Sequence, residues 1–253
     1  MSGLDGKLNK SDRAVLSYVE KGAEDMATAE DLQAVVDQNR PVPRRNYHAK
    51  VVQDVYIPED IVGKDEFNAI PIMDWQESLK AEEELSLESR FVARRITRLG
   101  NSEDPVRRLR TMRYLLWMIV LWLVARPGPQ PGTKRIAQDR MRENMRSAPE
   151  SILRSLYRKF SDDGVMRKMH IDLLMTHICA FACIIDNFEV NLADLMQDLK
   201  QQVPQTKQYF LEIGARYSQK RLSPRDPTQH IAKLSLPLEF PGIRKPRERR
   251  RAA

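Results

Sequence analysis

The chain has 253 residues, 42% of them hydrophobic, enough for one large domain or two small ones around a packed interior. Its 42 Lys and Arg exceed 35 Asp and Glu, a formal charge of +7 that points to a polyanionic partner. Two cysteines, Cys179 and Cys183, exclude a disulfide framework and a cysteine-based structural zinc site and predict a reducing compartment, and residues 1–10 lack the apolar stretch of a secretory signal.

The charge is unevenly spread. Residues 1–88 carry 10 Lys and Arg against 19 Asp and Glu, leaving 32 against 16 in 89–253, so an acidic end of −9 joins a basic body of +16. Such a surplus suits a surface that meets phosphates, and equally a solvated, solubilising one.

In chain order, 12–21 and 30–38 are predicted as short amphipathic helices, the second opened by Thr28 with Asp31 three residues on. Pro41 and Pro43 stop helix there, and 47–57 reads as extended, with Val51, Val52, Val55, Tyr56 and Ile57 as apolar anchors. Residues 1–50 are expected to form a linker that runs over another surface. A helical pattern follows over 65–80, broken near Pro71, and over 85–99, where Arg90, Arg94 and Arg98 line one face at a spacing of four.

The twelve apolar residues of 114–125 fall short of the roughly 20 that span a bilayer, so they predict a buried core helix rather than a membrane-surface anchor. A Pro- and Gly-rich loop at 127–132 ends it, and helices over 133–143 and 150–160 follow. Next come an apolar helix over 169–186, a short extended link at 188–191, helices over 192–199 and 204–214 separated by a turn, and two extended stretches, 215–222 and 230–238, around a polar loop. That order is the order of a winged helix. The fold class predicted is mainly α with small β wings.

His170, Asp172, His177, Cys179 and Cys183 share one helix. At about 100° per residue from His170, His177 falls near 340° and the cysteines near 180° and 220°, so the two pairs face apart and cannot close on one ion. They read as core or boundary histidines and small buried hydrophobes. No nucleophile elbow, zinc-protease helix, phosphate loop or dinucleotide fingerprint is present, and Glu82, Glu83 and Glu84 form a solvated acidic run. Neither catalysis nor a cofactor nor a metal is expected.

Binding remains. In the helix at 204–214, Tyr209, Phe210 and Ile213 should face the core and Gln205, Lys207 and Gln208 outward. Arg216, Lys220, Arg221 and Arg225 cluster in or beside the hairpin, with Lys233 on its return strand, a distribution suited to backbone contact without base reading. The tail adds Arg244, Lys245, Arg247, Arg249, Arg250 and Arg251, a nuclear-import signal or phosphate-binding arm set against a merely solubilising end.

The segments Lys168-Met-His-Ile-Asp-Leu-Leu, Asp186-Asn-Phe-Glu-Val-Asn-Leu-Ala-Asp-Leu-Met-Gln-Asp-Leu-Lys, Tyr209-Phe-Leu-Glu-Ile-Gly and Ala232-Lys-Leu-Ser-Leu-Pro-Leu resemble the C-terminal domain of the forty-nine-kilodalton subunit family of RNA polymerase I, a polymerase-associated factor in animals. Val55-Tyr-Ile-Pro-Glu-Asp-Ile-Val with Phe67-Asn-Ala-Ile is similar to the family's linker, so the resemblance covers roughly 28–243 and is strongest over 168–238. It implies a tandem winged-helix architecture related to part of the initiation factor TFIIE: linker 1–50, first winged helix 51–165, second 166–242, basic tail 243–253. It further implies partnership with RNA polymerase I core subunits and double-stranded DNA, binding without strong sequence preference near the cleft, support of initiation and elongation on ribosomal DNA, and a nuclear, nucleolar location without membrane association. Its DNA-contacting positions match Lys207, Arg216, Lys220 and Arg221. The N-terminal β-barrel module that pairs with a smaller subunit is expected to be absent, which puts that pairing in doubt.

Overall fold

Prolines and tight turns set the early helices. Pro58 opens α1 (Pro58–Val62), Gly63 at φ +110° turns the chain into α2 (Lys64–Asn68), and Pro71 stands between α2 and α3 (Met73–Lys80). The computed structural model describes residues 40–83, 85–97, 104–221 and 227–241. The helices expected over 12–21 and 30–38, and Arg98, Arg225 and the 244–251 cluster, lie outside the described residues.

Helix α4 (Arg90–Ile96) is shorter than the pattern over 85–99 implied, because Ser89 caps it: its Oγ accepts from Val92 N at 3.1 Å. Helix α5 (Pro105–Val124) is capped by Asp104, whose carboxylate accepts from Arg107 N at 2.9 Å, and carries Pro105 in its first turn. From Leu115 to Leu121 every side chain of α5 is buried, so this helix is apolar all round because protein surrounds it. The core helix expected at 114–125 is therefore present.

Strands β1 (Arg126–Pro127) and β2 (Lys134–Arg135) form a hairpin across the Pro-Gly loop, followed by α6 (Gln138–Asn144), α7 (Glu150–Phe160) and β3 (Val165–Met166). The three strands are antiparallel in the order β1-β2-β3. The helix expected over 133–143 thus begins only at Gln138, since Lys134 and Arg135 are drawn into strand pairing on both sides. The division expected between residues 165 and 166 falls inside β3.

Then come α8 (Lys168–Ile185), β4 (Glu189–Asn191), α9 (Leu192–Leu199), α10 (Val203–Glu212), β5 (Arg216–Lys220) and β6 (Gln229–Lys233), with sheet order β4-β6-β5, all antiparallel. Asn191 caps α9 through Ala193 N at 3.0 Å, and Lys200, left-handed at φ 53°, reverses the chain toward α10. By length and composition α8 is apolar enough to cross a membrane, but its side chains from Leu174 to Cys183 are all buried in the protein.

One apolar core runs through both sheets' helices. Helix α5 lies on α8, with the Tyr114 and Phe181 rings 5.3 Å apart, and Phe91, Trp117, Leu156, Phe160, Leu195 and Phe210 join the same cluster. Residues 47–57, expected as extended, instead turn at Tyr47 and wind into one 3-10 turn, Val52–Asp54. Asn46 N donates to Val55 O at 2.9 Å, closing a loop that buries Val55 and Tyr56 but leaves Val51 exposed. The Tyr56 hydroxyl donates to Ile213 O at 2.9 Å and Thr176 Oγ1 to Pro41 O at 2.7 Å, so residues from Pro41 onward, the last part of the expected linker included, form one compact unit.

Within the core Lys159 is half-buried, its Nζ donating to Ile61 O at 2.8 Å, and burial pushes its ammonium down to about 8. The neutral amine is thus favoured in the fold. Stability contributed by this group is fully present above the unfolded value near 10.4 and is lost as pH falls toward about 8. Wild type is expected to gain up to about 3 kcal/mol relative to Lys159→Met between pH 8 and 10.5, read from urea midpoints at both pH values.

Candidate nucleic-acid interface

Helix α10 points as its spacing predicts. Phe210 and Ile213 are buried, while Tyr209 is half-buried with its hydroxyl donating to Asp172 Oδ1 at 3.2 Å. Gln205 and Gln208 are exposed, and Gln208 Nε2 donates to Glu212 Oε1 at 2.7 Å. Lys207 folds over the Tyr217 ring, its Nζ 4.4 Å from the centroid, which ties α10 to β5.

The β5–β6 hairpin carries the remaining cations. Arg216 is paired in register with Lys233, a like-charge neighbour, and acids answer both: Arg216 Nη2 meets Glu239 at 2.7 Å, and Lys233 Nζ meets Glu189 at 3.1 Å. Lys220 Nζ also reaches Glu189, at 3.4 Å. Hydrogen bonds from Lys233 and Lys220 hold the Glu189 carboxyl below its usual range. Arg221 stands exposed past the strand with no ion-pair partner among the described residues. Exposed pairs of this kind are weak and screened by solvent, so phosphates can displace Glu189 and Glu239 at small cost. The structure therefore brings Lys207, Arg216, Lys220 and Arg221 to one hairpin and its adjoining helix.

Beside them sits a group the sequence did not reveal. The Tyr217 and His230 rings stack 6.0 Å apart, with Tyr217 Oη 2.5 Å from His230 Nδ1, and Gln219 Nε2 donates to the same hydroxyl at 3.0 Å. Tyr217 pairs with Ala232 and Gln219 with His230, so the two rings are diagonal neighbours on one face of the hairpin, information carried only by strand pairing.

The arginine stripe of α4 lies elsewhere. Arg90 Nη1 donates to Gln197 Oε1 and Arg94 Nη1 to Asp194 Oδ1, both at 2.6 Å, so these side chains run along α9. Next to Arg94, Arg95, not singled out in the sequence, is only 11% exposed and forks onto Asp186 at 2.5 and 2.6 Å. Its signal was its place at the border of the Phe91, Val92 and Ile96 stripe, where an arginine stem packs and its head must find carboxylates.

The ligand-type residues of α8 are used inside the fold. His177 is buried, its Nδ1 2.7 Å from Leu173 O and its ring edge-on to Phe160, and burial holds its imidazole well below the usual value. His170 Nδ1 accepts from Arg167 N at 3.2 Å as part of the helix cap. Cys179 and Cys183 are buried, which pushes both thiols up. The core and boundary placing read from the spacing describes all four.

The sequence is similar to known proteins. DNA-directed RNA polymerase I subunit rpa49 of Schizosaccharomyces pombe is 27% identical over 253 residues, covering 93% of this chain and 58% of that protein. Subunit RPA49 of Saccharomyces cerevisiae is 23% identical over 226 residues, covering 83% and 52%. The chain thus spans somewhat more than half the length of these relatives. The family profile matches residues 4–241, further toward the N-terminus than the resemblance from residue 28, and by that match the chain belongs to the A49-like RNA polymerase I associated factors.

Proposed function

We propose that this chain is a non-catalytic part of an RNA polymerase I subunit that holds double-stranded DNA, without strong sequence preference, near the polymerase cleft. In this reading it supports initiation and elongation on ribosomal DNA in the nucleolus, alongside the polymerase core subunits. The observation that carries it is the concentration of Lys207, Arg216, Lys220 and Arg221 on the β5–β6 hairpin and the adjoining α10 of a chain in this family.

The order α8, β4, α9, α10, β5, β6 supports reading 166–242 as a winged helix with that hairpin as its wing. Residues 51–165 are proposed as the first winged helix in a departed form, since its hairpin precedes the two short helices. A second reading, a scaffold that docks polymerase subunits without DNA contact, is favoured by the acids: Glu189 and Glu239 already answer three of the hairpin's cations.

Titration of labelled duplex DNA at several salt concentrations separates the two. Each phosphate neutralised contributes about 0.9 to the slope of log affinity against log salt. The Lys207/Arg216/Lys220/Arg221→Ala variant should lose most of the slope and bind at least about tenfold more weakly at low salt. Unchanged binding by the variant, or none by the wild type, removes the DNA reading and leaves the scaffold.

A further inference from the structure

The β1–β2 hairpin contains an arrangement that its own chain does not explain. Arg126 and Arg135 are direct cross-strand partners, and both are exposed. Side chains in such a pair stand about 4.5–5.5 Å apart at Cβ, and like charges there oppose folding. The answer seen at the other hairpin is missing here: Arg216 and Lys233 are also opposite each other but each has its carboxylate, whereas neither Arg126 nor Arg135 has an ion-pair or hydrogen-bond partner among the described residues.

The hairpin is also held rigid by groups that take no part in that repulsion. Lys134 folds inward, its Nζ 3.5 Å from the Trp122 ring centroid and donating to the carbonyls of Trp122 and Ala125, both at 3.3 Å. The loop is pinned by Gly128 N donating to Thr133 O at 2.9 Å and Thr133 Oγ1 to Gln130 O at 2.6 Å, and β2 by Ile136 N donating to Gly164 O at 2.8 Å. Two arginines are thus held at directly opposed positions on a pre-formed strand pair, a like-charge pairing that an anion bound by both would relieve.

We propose that Arg126 and Arg135 clamp a backbone phosphate of duplex DNA, making the β1–β2 hairpin a second contact surface separate from the β5–β6 hairpin. This rests on the DNA-holding reading above. A backbone phosphodiester suits the pair, because its two anionic oxygens match forked guanidinium donors and the body's charge of +16 draws a polyanion to it.

The test uses the whole chain and the same duplex titration. Arg126→Gln and Arg135→Gln should each weaken binding several-fold, and the double variant should lower the salt slope by about 1. Both should melt at or above the wild-type temperature, since the like-charge pair is gone, so weaker binding is not misfolding. Arg158→Gln, an exposed arginine on α7, controls for overall charge. An unchanged slope in the double variant while the Lys207/Arg216/Lys220/Arg221→Ala variant loses binding would overturn the clamp, leaving the arginines as solvated surface charges. An equal loss in Arg158→Gln would also overturn it. Absence of wild-type binding at low salt would instead sink the DNA-holding reading itself.

Discussion

Asp198→Ala should destabilise the protein by about 3–5 kcal/mol, a large share of the 5–15 kcal/mol that holds a typical domain together. Asp198 is only 7% exposed on α9, yet its carboxylate serves a different helix: Oδ1 accepts from Arg90 N at 2.9 Å, and Oδ2 accepts from Phe91 N at 3.0 Å and from the Ser89 hydroxyl at 2.6 Å. It thereby fills the amide positions that every helix start leaves open and sets a negative charge at the positive end of α4. Alanine strands two amides and a hydroxyl, each costing about 1–3 kcal/mol. Asp198→Asn keeps one accepting oxygen and should cost roughly half as much. Urea unfolding with an unchanged m-value reads both, and a loss below about 1 kcal/mol for alanine would show that the two helices are not joined there.

Arg95→Met is the second large effect, again about 3–5 kcal/mol. The guanidinium meets Asp186 through two bonds and Asp194 at 3.2 Å, donates to Phe91 O at 3.0 Å, and lies 3.5 Å from the centroid of the Phe91 ring. Methionine preserves the stem's packing but leaves Asp186, about 15% exposed, without its guanidinium and Asp194 with Arg94 alone. Asp186 follows the C-terminus of α8, where a negative charge is already unfavourable, so its abandonment is costly. Adding Asp186→Asn and Asp194→Asn to Arg95→Met should recover more than half of the loss. Because Arg95 and Asp198 both fasten α4 to α9, the combined loss should be smaller than the separate losses added, measurable as a double-mutant cycle.

These two residues also mark where the sequence stops being readable. Helices α7 and α9 match the segments read from the pattern, because Ile152, Leu153, Leu156 and Phe160 make one apolar face and Asn191 caps its own helix. Those signals are local. Asp198 acts on residues more than a hundred positions away, and nothing near residue 90 announces it. The same holds for Tyr56, whose neighbours predict an extended run and whose hydroxyl is held by Ile213 O. Two-residue strands such as Lys134–Arg135 have no alternation to detect and exist only because neighbours pair with them.

The candidate site divides in the same way. The order helix, strand, helix, helix, hairpin picked out Lys207, Arg216, Lys220 and Arg221, and all four lie on or beside that hairpin. Their partners Glu189 and Glu239 could not be read, since only the order β4-β6-β5 sets Glu189 opposite Lys233. The spacing of Arg90 and Arg94 was right, but the surface they line is α9.

The bedding of α5 against α8 has a consequence for how the protein is made. More than forty residues separate the end of α5 at Val124 from the start of α8 at Lys168. At about 5–20 residues per second, a ribosome needs roughly 2–9 seconds to deliver the first turn of α8 after α5 is complete. During that interval Tyr114, Leu115, Met118 and their neighbours lack the helix that covers them, so the nascent chain presents an apolar cylinder to whatever holdase stands at the tunnel exit.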